Sequence, residues 1–138
     1  MLTQPDLKII RFLLSDSRVT LAEIAKKLGV SQPAVQKRIR RLKSVGIITG
    51  STIILNQSKI GWKKALVAIN TTKEAYLPIL NLLGKLPMVT SIYQTTGPYS
   101  IAVELVGPAG VVNRVVSHIK KIKGIRDFCP ISFSERVY

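Results

Sequence analysis

Residues 20–46, TLAEIAKKLGVSQPAVQKRIRRLKSVG, restrict the fold more than any other stretch of this chain. Thr20 stands three residues before Glu23, the spacing of a capping box, in which two side chains satisfy free backbone donors at a helix start. Leu21, Ile24, Ala25 and Leu28 follow at helical spacing and form one apolar stripe. Gly29 suits the left-handed position that closes a helix. Ser31 is placed to cap a second helix, and Pro33 is tolerated in its first turn, where the N–H groups have no internal partner. Val35, Ile39 and Leu42 make the inner stripe of that helix, and Gly46 ends it. Gln32, Gln36, Lys37, Arg38, Arg40, Arg41 and Lys43 fall on its other faces. Two helices across a short glycine-containing turn, the second strongly basic, make a helix-turn-helix.

Residues 5–14, PDLKIIRFLL, predict a helix before this pair. Pro5 suits an early helical position, and Asp6 suits the positive end of the helix dipole. Leu7, Ile10, Leu13 and Leu14 give its stripe, widened by Ile9 and Phe12. So broad an apolar face has to pack on something, and the three helices together make a small trihelical module over residues 1–50. After Gly46 the pattern turns β-branched, IITGSTIILN, which reads as a short strand pair (a wing) or as an extended connector. Polar, turn-like NQSKIGW follows, so residues 51–61 link this module to the rest.

From Trp62 to the end the chain repeats one unit. Strands are predicted over 62–71, 89–96, 100–106 and 125–137, and helices over 74–86 and 108–122. The order βαββαβ matches a ferredoxin-like domain over 62–138. The halves echo each other where the helices end, at Leu86-Pro87-Met88-Val89 and Ile122-Lys123-Gly124-Ile125. Pro78 falls early in the first of these helices, where it is tolerated. Both helices cover one sheet face in such a fold. Leu66, Val67, Ala68 and Ile69 are apolar on both sides of their strand, so the other face is expected to be covered by a second copy. The fold class is therefore α+β.

Charge bounds the partner. The chain has 21 basic and 7 acidic residues, a formal +14, which points to a polyanion, usually nucleic acid. Residues 1–60 hold 11 basic and 3 acidic groups, and seven of the basic ones lie on the helix-turn-helix. Residues 61–138 hold 10 and 4, with one cluster at Lys120, Lys121, Lys123 and Arg126 that reads as a solvated face. Apolar runs are interrupted by Arg11, Pro78, Asn81 and Glu104, so no membrane span is expected. The start, MLTQPDLK, lacks a signal peptide's apolar region. A lone Cys129 excludes an intrachain disulfide and suits a reducing compartment, and the expected location is the cytoplasm.

Little here suggests catalysis. Asp6, Asp16, Glu23, Glu74, Glu104, Asp127 and Glu135 are scattered, with no pair placed for acid/base work. One histidine, His118, and one cysteine without ligand spacing make a poor metal site. Cys129 reads as core filler. Trp62, Tyr93 and Tyr99 could line a pocket, although aromatic residues of a small core are commoner. No catalytic residue, metal or cofactor is expected.

The order of parts, with PDLKIIRFLLSDSRVTLAEIAKKLGVSQPAVQKRIRRLKSVGII in the first domain and TTGPYSIAVEL in the second, resembles the feast/famine (Lrp/AsnC) family of transcription regulators. The resemblance implies a sequence-specific regulator of double-stranded DNA, acting as a dimer, often a tetramer or octamer, on pseudo-palindromic promoter sites. It also implies an amino-acid effector near the turn after the second strand of the sheet domain, here Thr96, Gly97, Tyr99 and Ser100. The family commonly writes that turn Thr-Gly-x-x-Asp, and this chain has Ser100 in the last place. A carboxylate suits a ligand's ammonium group; a serine offers a neutral hydroxyl, so the effector is left open between an amino acid, another ligand and none.

In a helix-turn-helix the start of the second helix reaches base edges while flanking groups grip phosphates. Base reading is therefore expected of Ser31, Gln32, Ala34, Gln36, Lys37 and Arg40, with Ser31 also capping. Glutamine can bond adenine, arginine or lysine guanine, and alanine can touch a thymine methyl. Lys26, Lys27, Arg38 and Arg41 are expected on phosphates. Three other functions compete. Excess charge on the sheet domain would suit a DNA-wrapping architectural protein with little sequence preference. RNA binding on an open sheet needs paired aromatics on the central strands, and these strands are mainly aliphatic. Some relatives in the resembling family are tetrapyrrole decarboxylases, whose chemistry would want more His and Arg in the sheet domain.

Overall fold

The computed structural model describes residues 1–134, 136 and 137. Glu135, inside the expected fourth strand and among the scattered carboxylates, and Tyr138, at the expected end of the second domain, lie outside the described residues. The chain divides into two compact units, residues 1–54 and 55 onward, a division that falls within the 51–61 linker.

The first unit holds α1 (Gln4–Ser15), α2 (Leu21–Leu28) and α3 (Gln32–Ser44). Each helix start is capped by a hydroxyl. Thr20 and Glu23 form the expected capping box on α2, with Thr20 N–H donating to Glu23 Oε2 at 2.8 Å. That bond is the main cause holding the Glu23 carboxyl below its ordinary pKa. Thr3 and Asp6 form a second capping box on α1. The same spacing of a hydroxyl and an acid three residues on stands in the sequence at Thr3 and Asp6. Gly29 closes α2 at φ 66°, ψ 35°, a backbone region that costs a side-chain-bearing residue about 1–2 kcal/mol.

Ile9, Ile24, Ala25, Val35 and Leu42 are the buried centre of this unit, with Ile10, Phe12, Leu13, Leu21, Leu28 and Ile39 packed around them. The stripe on α1 differs from the expected one. Ile9 is its fully buried centre, while Leu14 is 81% exposed and Leu7 also lies outside the core. A broad apolar face has several possible centres, and contact with α2 and α3 selects one. After α3, residues 49–56 form no strand pairing among the described residues, so the extended connector holds and the wing does not form within the chain. Ile53 and Ile54 are exposed there.

The second unit opens with a short 3-10 turn, Gln57–Ile60. It continues through β1 (Trp62–Thr71), α4 (Tyr76–Leu83), β2 (Val89–Gln94), β3 (Ile101–Pro108), α5 (Ala109–Lys120) and β4 (Ile125–Phe133). The strands form one antiparallel sheet in the order β2-β3-β1-β4, the ferredoxin-like arrangement. Ala65, Val67 and Ile69 of β1 and Ile101, Val103 and Leu105 of β3 alternate inward and meet Ile79 and Leu83 of α4 and Val112, Val115 and Ile119 of α5. A strand's period of two then places Leu66, Ala68, Ala102, Val106, Ile131 and Phe133 on the opposite face, which no helix of the unit covers. On that face Lys64 Nζ lies 3.4 Å from Glu104 Oε2 and 5.4 Å from the centre of the Phe133 ring.

α4 is shorter than the expected 74–86. Thr72 Oγ1 accepts from Ala75 N–H at 3.2 Å and holds residues 73–75 in a turn. At its far end Lys85 N–H and Leu86 N–H bond carbonyls three residues back, a tighter pattern than the α-helix. α5 ends in the same way, at Lys121 and Ile122. Met88 (φ 66°) and Gly124 (φ 99°) then turn the two echoing segments into strands with the same left-handed backbone. Cys129 is not in the core: it is half-buried on the uncovered face, opposite Ala68. Nor do Trp62, Tyr93 and Tyr99 belong to the core cluster.

Candidate nucleic-acid interface

α3 owes its direction to a buried carboxylate. Asp6 has no exposed surface, and its Oδ1 accepts from Arg38 Nη1 at 3.0 Å while Oδ2 accepts from Arg41 Nη2 at 2.5 Å. Thr3 N–H donates to the same carboxylate at 2.9 Å, and the Thr3 hydroxyl at 2.7 Å. The backbone bond from Thr3, then the Thr3 hydroxyl, Arg38 and Arg41, outweigh burial and draw the Asp6 carboxyl down to about 2. Two charge-assisted bonds to one carboxylate clamp α3 onto α1.

Arg38 and Arg41, expected on phosphates, each pair with Asp6 while their side chains stay 35% and 48% exposed. Positions 34, 38 and 41 lie along the flank of α3 nearest α1, so half-buried Ala34 shares their side. On the helix's outward side lie Lys37 and Arg40, three residues apart and exposed, with exposed Gln32 and Gln36 along one edge. Pro33 also faces out, in the first turn, beside Ser31, whose hydroxyl accepts from Ala34 N–H at 3.4 Å. Lys37 and Arg40 take part in no ion pair among the described residues. On α2, Lys26 is exposed, and Lys27 Nζ sits 5.0 Å over the Phe12 ring.

This geometry is that of a helix presenting amides and cations to a groove. The AsnC-type helix-turn-helix domain matches residues 2–43. The HTH-type transcriptional regulator LrpA of Pyrococcus horikoshii is 31% identical over 140 residues, covering 99% of both chains. This chain belongs to the Lrp/AsnC family. It is also 35% identical over 125 residues to the regulator LysM of Saccharolobus solfataricus, covering 88% of this chain and 86% of that one. The structure of E. coli AsnC superposes with a TM-score of 0.77 at 27% identity, over 100% of this chain and 95% of that chain. As an Lrp/AsnC-family protein the chain is a DNA-binding transcription regulator.

The turn expected to hold an effector is tied down from several sides. Thr95 N–H donates to Ser100 O at 3.0 Å, Ser100 N–H to Ile69 O at 3.0 Å, and Asn70 Nδ2 to Pro98 O at 3.2 Å. Ser100 lines a shallow recess of about 290 Å³ with Thr71, Thr72, Lys73 and Tyr76. Thr96, Gly97 and Tyr99 do not line it. Tyr99 instead neighbours Cys129, whose influence is the main cause raising the tyrosine's pKa. The recess carries one ammonium and four hydroxyls but no carboxylate. Lys73 can pair with an anion there, and the hydroxyls can both donate and accept. No helix among the described residues is long and apolar enough to cross a membrane.

Proposed function

We propose that this Lrp/AsnC regulator reads DNA as a dimer, with Gln32, Gln36, Lys37 and Arg40 on base edges and Lys26 and Lys27 on phosphates. The observation that carries the reading is the division of labour on α3. Arg38 and Arg41 pair with Asp6, while Lys37, Arg40 and Lys43 are exposed cations of α3 in no ion pair among the described residues, and Lys37 and Arg40 stand beside two exposed glutamines. Ser31 caps the helix and Ala34 lies at the edge of the reading face. Fixing a recognition helix through a buried pair keeps its base-reading groups in place without using them as anchors.

Dimerisation through the uncovered sheet face fits this role. Leu66, Ala68, Val106 and Ile131 together form an apolar area that association would remove from water. A two-fold axis would bring two α3 helices to half-sites about 34–36 Å apart on a pseudo-palindromic operator. The cytoplasm is the compartment in which such a regulator meets its DNA, and relatives that are transcription regulators argue for a non-enzymatic chain.

The test is fluorescence anisotropy on DNA from the chain's own upstream region against a shuffled duplex, across a salt series. Specific regulation predicts a gap of roughly a thousandfold or more at physiological salt. Equal affinity for both, with steep salt dependence, would instead support the architectural reading.

A further inference from the structure

We propose that the outer face of α5 is a second DNA-gripping surface, which takes the phosphate backbone flanking the stretch held by the helix-turn-helix; this rests on the reading of the chain as a DNA-binding regulator. Val112, Val115 and Ile119 bury the inner face of α5. That turns Asn113, Arg114, Ser117, His118 and Lys121 outward together, around a recess of about 380 Å³. Lys63 of β1 donates its Nζ to Asn113 Oδ1 at 2.8 Å, which brings a further ammonium to the edge of the same face.

The charge here is uncompensated. Neither α5 nor the lining of its recess contains a carboxylate. Lys63, Arg114 and Lys121 enter no ion pair among the described residues, unlike Lys64, which Glu104 neutralises on the other side of the sheet. Arg114, His118 and Lys121 follow at intervals of four and three residues, so a donor recurs about every 4.5–6 Å along the helix. The two cations among them, Arg114 and Lys121, stand about 10 Å apart along the axis, a spacing that a run of phosphates can bridge.

The chemistry of the face selects the polyanion. Guanidinium, ammonium, amide, hydroxyl and imidazole N–H are donors that bond phosphate and sugar oxygens and carry no base preference. A protein partner would call for aromatic or aliphatic anchors at the centre, and a membrane surface for apolar side chains beside the cations. The outward residues of α5 that line this recess include neither. Duplex DNA presents a charge about every 1.7 Å along its axis, and the regulator's own operator brings such a duplex to the molecule. The grouping differs from the cluster 120–126 that stands out in sequence, because helix geometry joins Lys121 to Arg114 and His118 and the fold adds Lys63.

The experiment compares the full chain with the variant Arg114→Gln/Lys121→Gln on two duplexes: the long upstream fragment, and a short piece of it trimmed to the helix-turn-helix site without its flanks. Both residues are exposed, and an unchanged thermal melt would verify that the variant is folded. The expected result is a fall of about 1.8 in the log–log salt slope on the long fragment, about 0.9 for each phosphate no longer neutralised. The short piece should be bound as before. A double reversal, Arg114→Glu/Lys121→Glu, should weaken the long fragment further. Unchanged slopes on the long fragment overturn the proposal and leave the regulator reading intact. Equal loss on both pieces also overturns it, since the effect would then lie in folding or assembly. A loss of binding to phosphatidylserine vesicles with DNA slopes unchanged assigns the face to lipid and overturns it too. Failure of the wild type on both duplexes removes this proposal together with the reading beneath it.

Discussion

The carboxylate of Asp6 meets the guanidinium of Arg38 at 3.0 Å, across 32 residues of sequence, with the aspartate fully buried and the arginine about a third exposed. This asymmetry decides what each partner's loss should cost. Removing the carboxylate by Asp6→Asn leaves two arginines that can turn to water, at a cost of about 1–3 kcal/mol. Removing both cations by Arg38→Gln/Arg41→Gln strands a buried charge and should cost more, about 3–5 kcal/mol. Adding Asp6→Asn to that double variant should restore part of the loss. Chemical denaturation of the four proteins tests this, and additive effects would count against a shared network.

The same pair sets an acid limit. The folded Asp6 carboxyl is drawn from its ordinary 3.8 down to about 2. The unfolded chain therefore takes up the proton first as pH falls, so this stabilisation is complete above 3.8 and disappears as the pH drops from there to about 2. Urea midpoints of the wild type should fall more steeply across that window than those of Asp6→Asn. Glu23 contributes in the same direction, which makes the difference between the two proteins the informative quantity.

On α3, Arg40→Ala should lower affinity for the operator by about 1–3 kcal/mol and relax preference at one base pair, if it makes a bidentate base contact. Equal weakening on operator and random DNA would move Arg40 to the phosphate class. Ser31→Ala should instead act through the helix, with a stability loss of about 1 kcal/mol from the missing cap. Anisotropy and thermal melting on each variant separate the two effects.

Leu66 and Ile131 face each other across β1 and β4 on the uncovered side of the sheet. Ile131→Asp should shift the chain to monomer in sedimentation and weaken operator binding without lowering the thermal midpoint of the unit itself. A dimer that persists in this variant would place the interface elsewhere.

Gly124 and Gly107 test how the two echoing halves are built. A Cβ on Gly124 would come within 2.5 Å of the Ala75 Cβ, on a backbone at φ 99°, so Gly124→Ala should cost about 1–3 kcal/mol. A Cβ on Gly107 would meet the Sδ and Cγ of Met88, atoms midway along a flexible side chain. Gly107→Ala should therefore cost less, since a methionine has rotamers to move to. Thermal melts of the two variants should differ in that order.

Local rules carry much of this architecture. Caps at Thr20 and Ser31, the close at Gly29, the stripe Ile24–Ala25 and the alternation Ala65–Val67–Ile69 depend on residues a few positions apart, so their spacing alone predicts the elements. The βαββαβ order and the outward placement of Lys37 and Arg40 follow from the same periodicities. What escaped depends on neighbours far along the chain. The pairing of Arg38 and Arg41 with Asp6 is one such case, because a helical pattern says which side chains leave the core and not which of them find partners. Centring α1 on Ile9, bringing Lys63 to α5, and leaving Cys129 outside the core required the packed chain for the same reason. Burial and pairing are properties of two surfaces meeting, and periodicity describes only one of them.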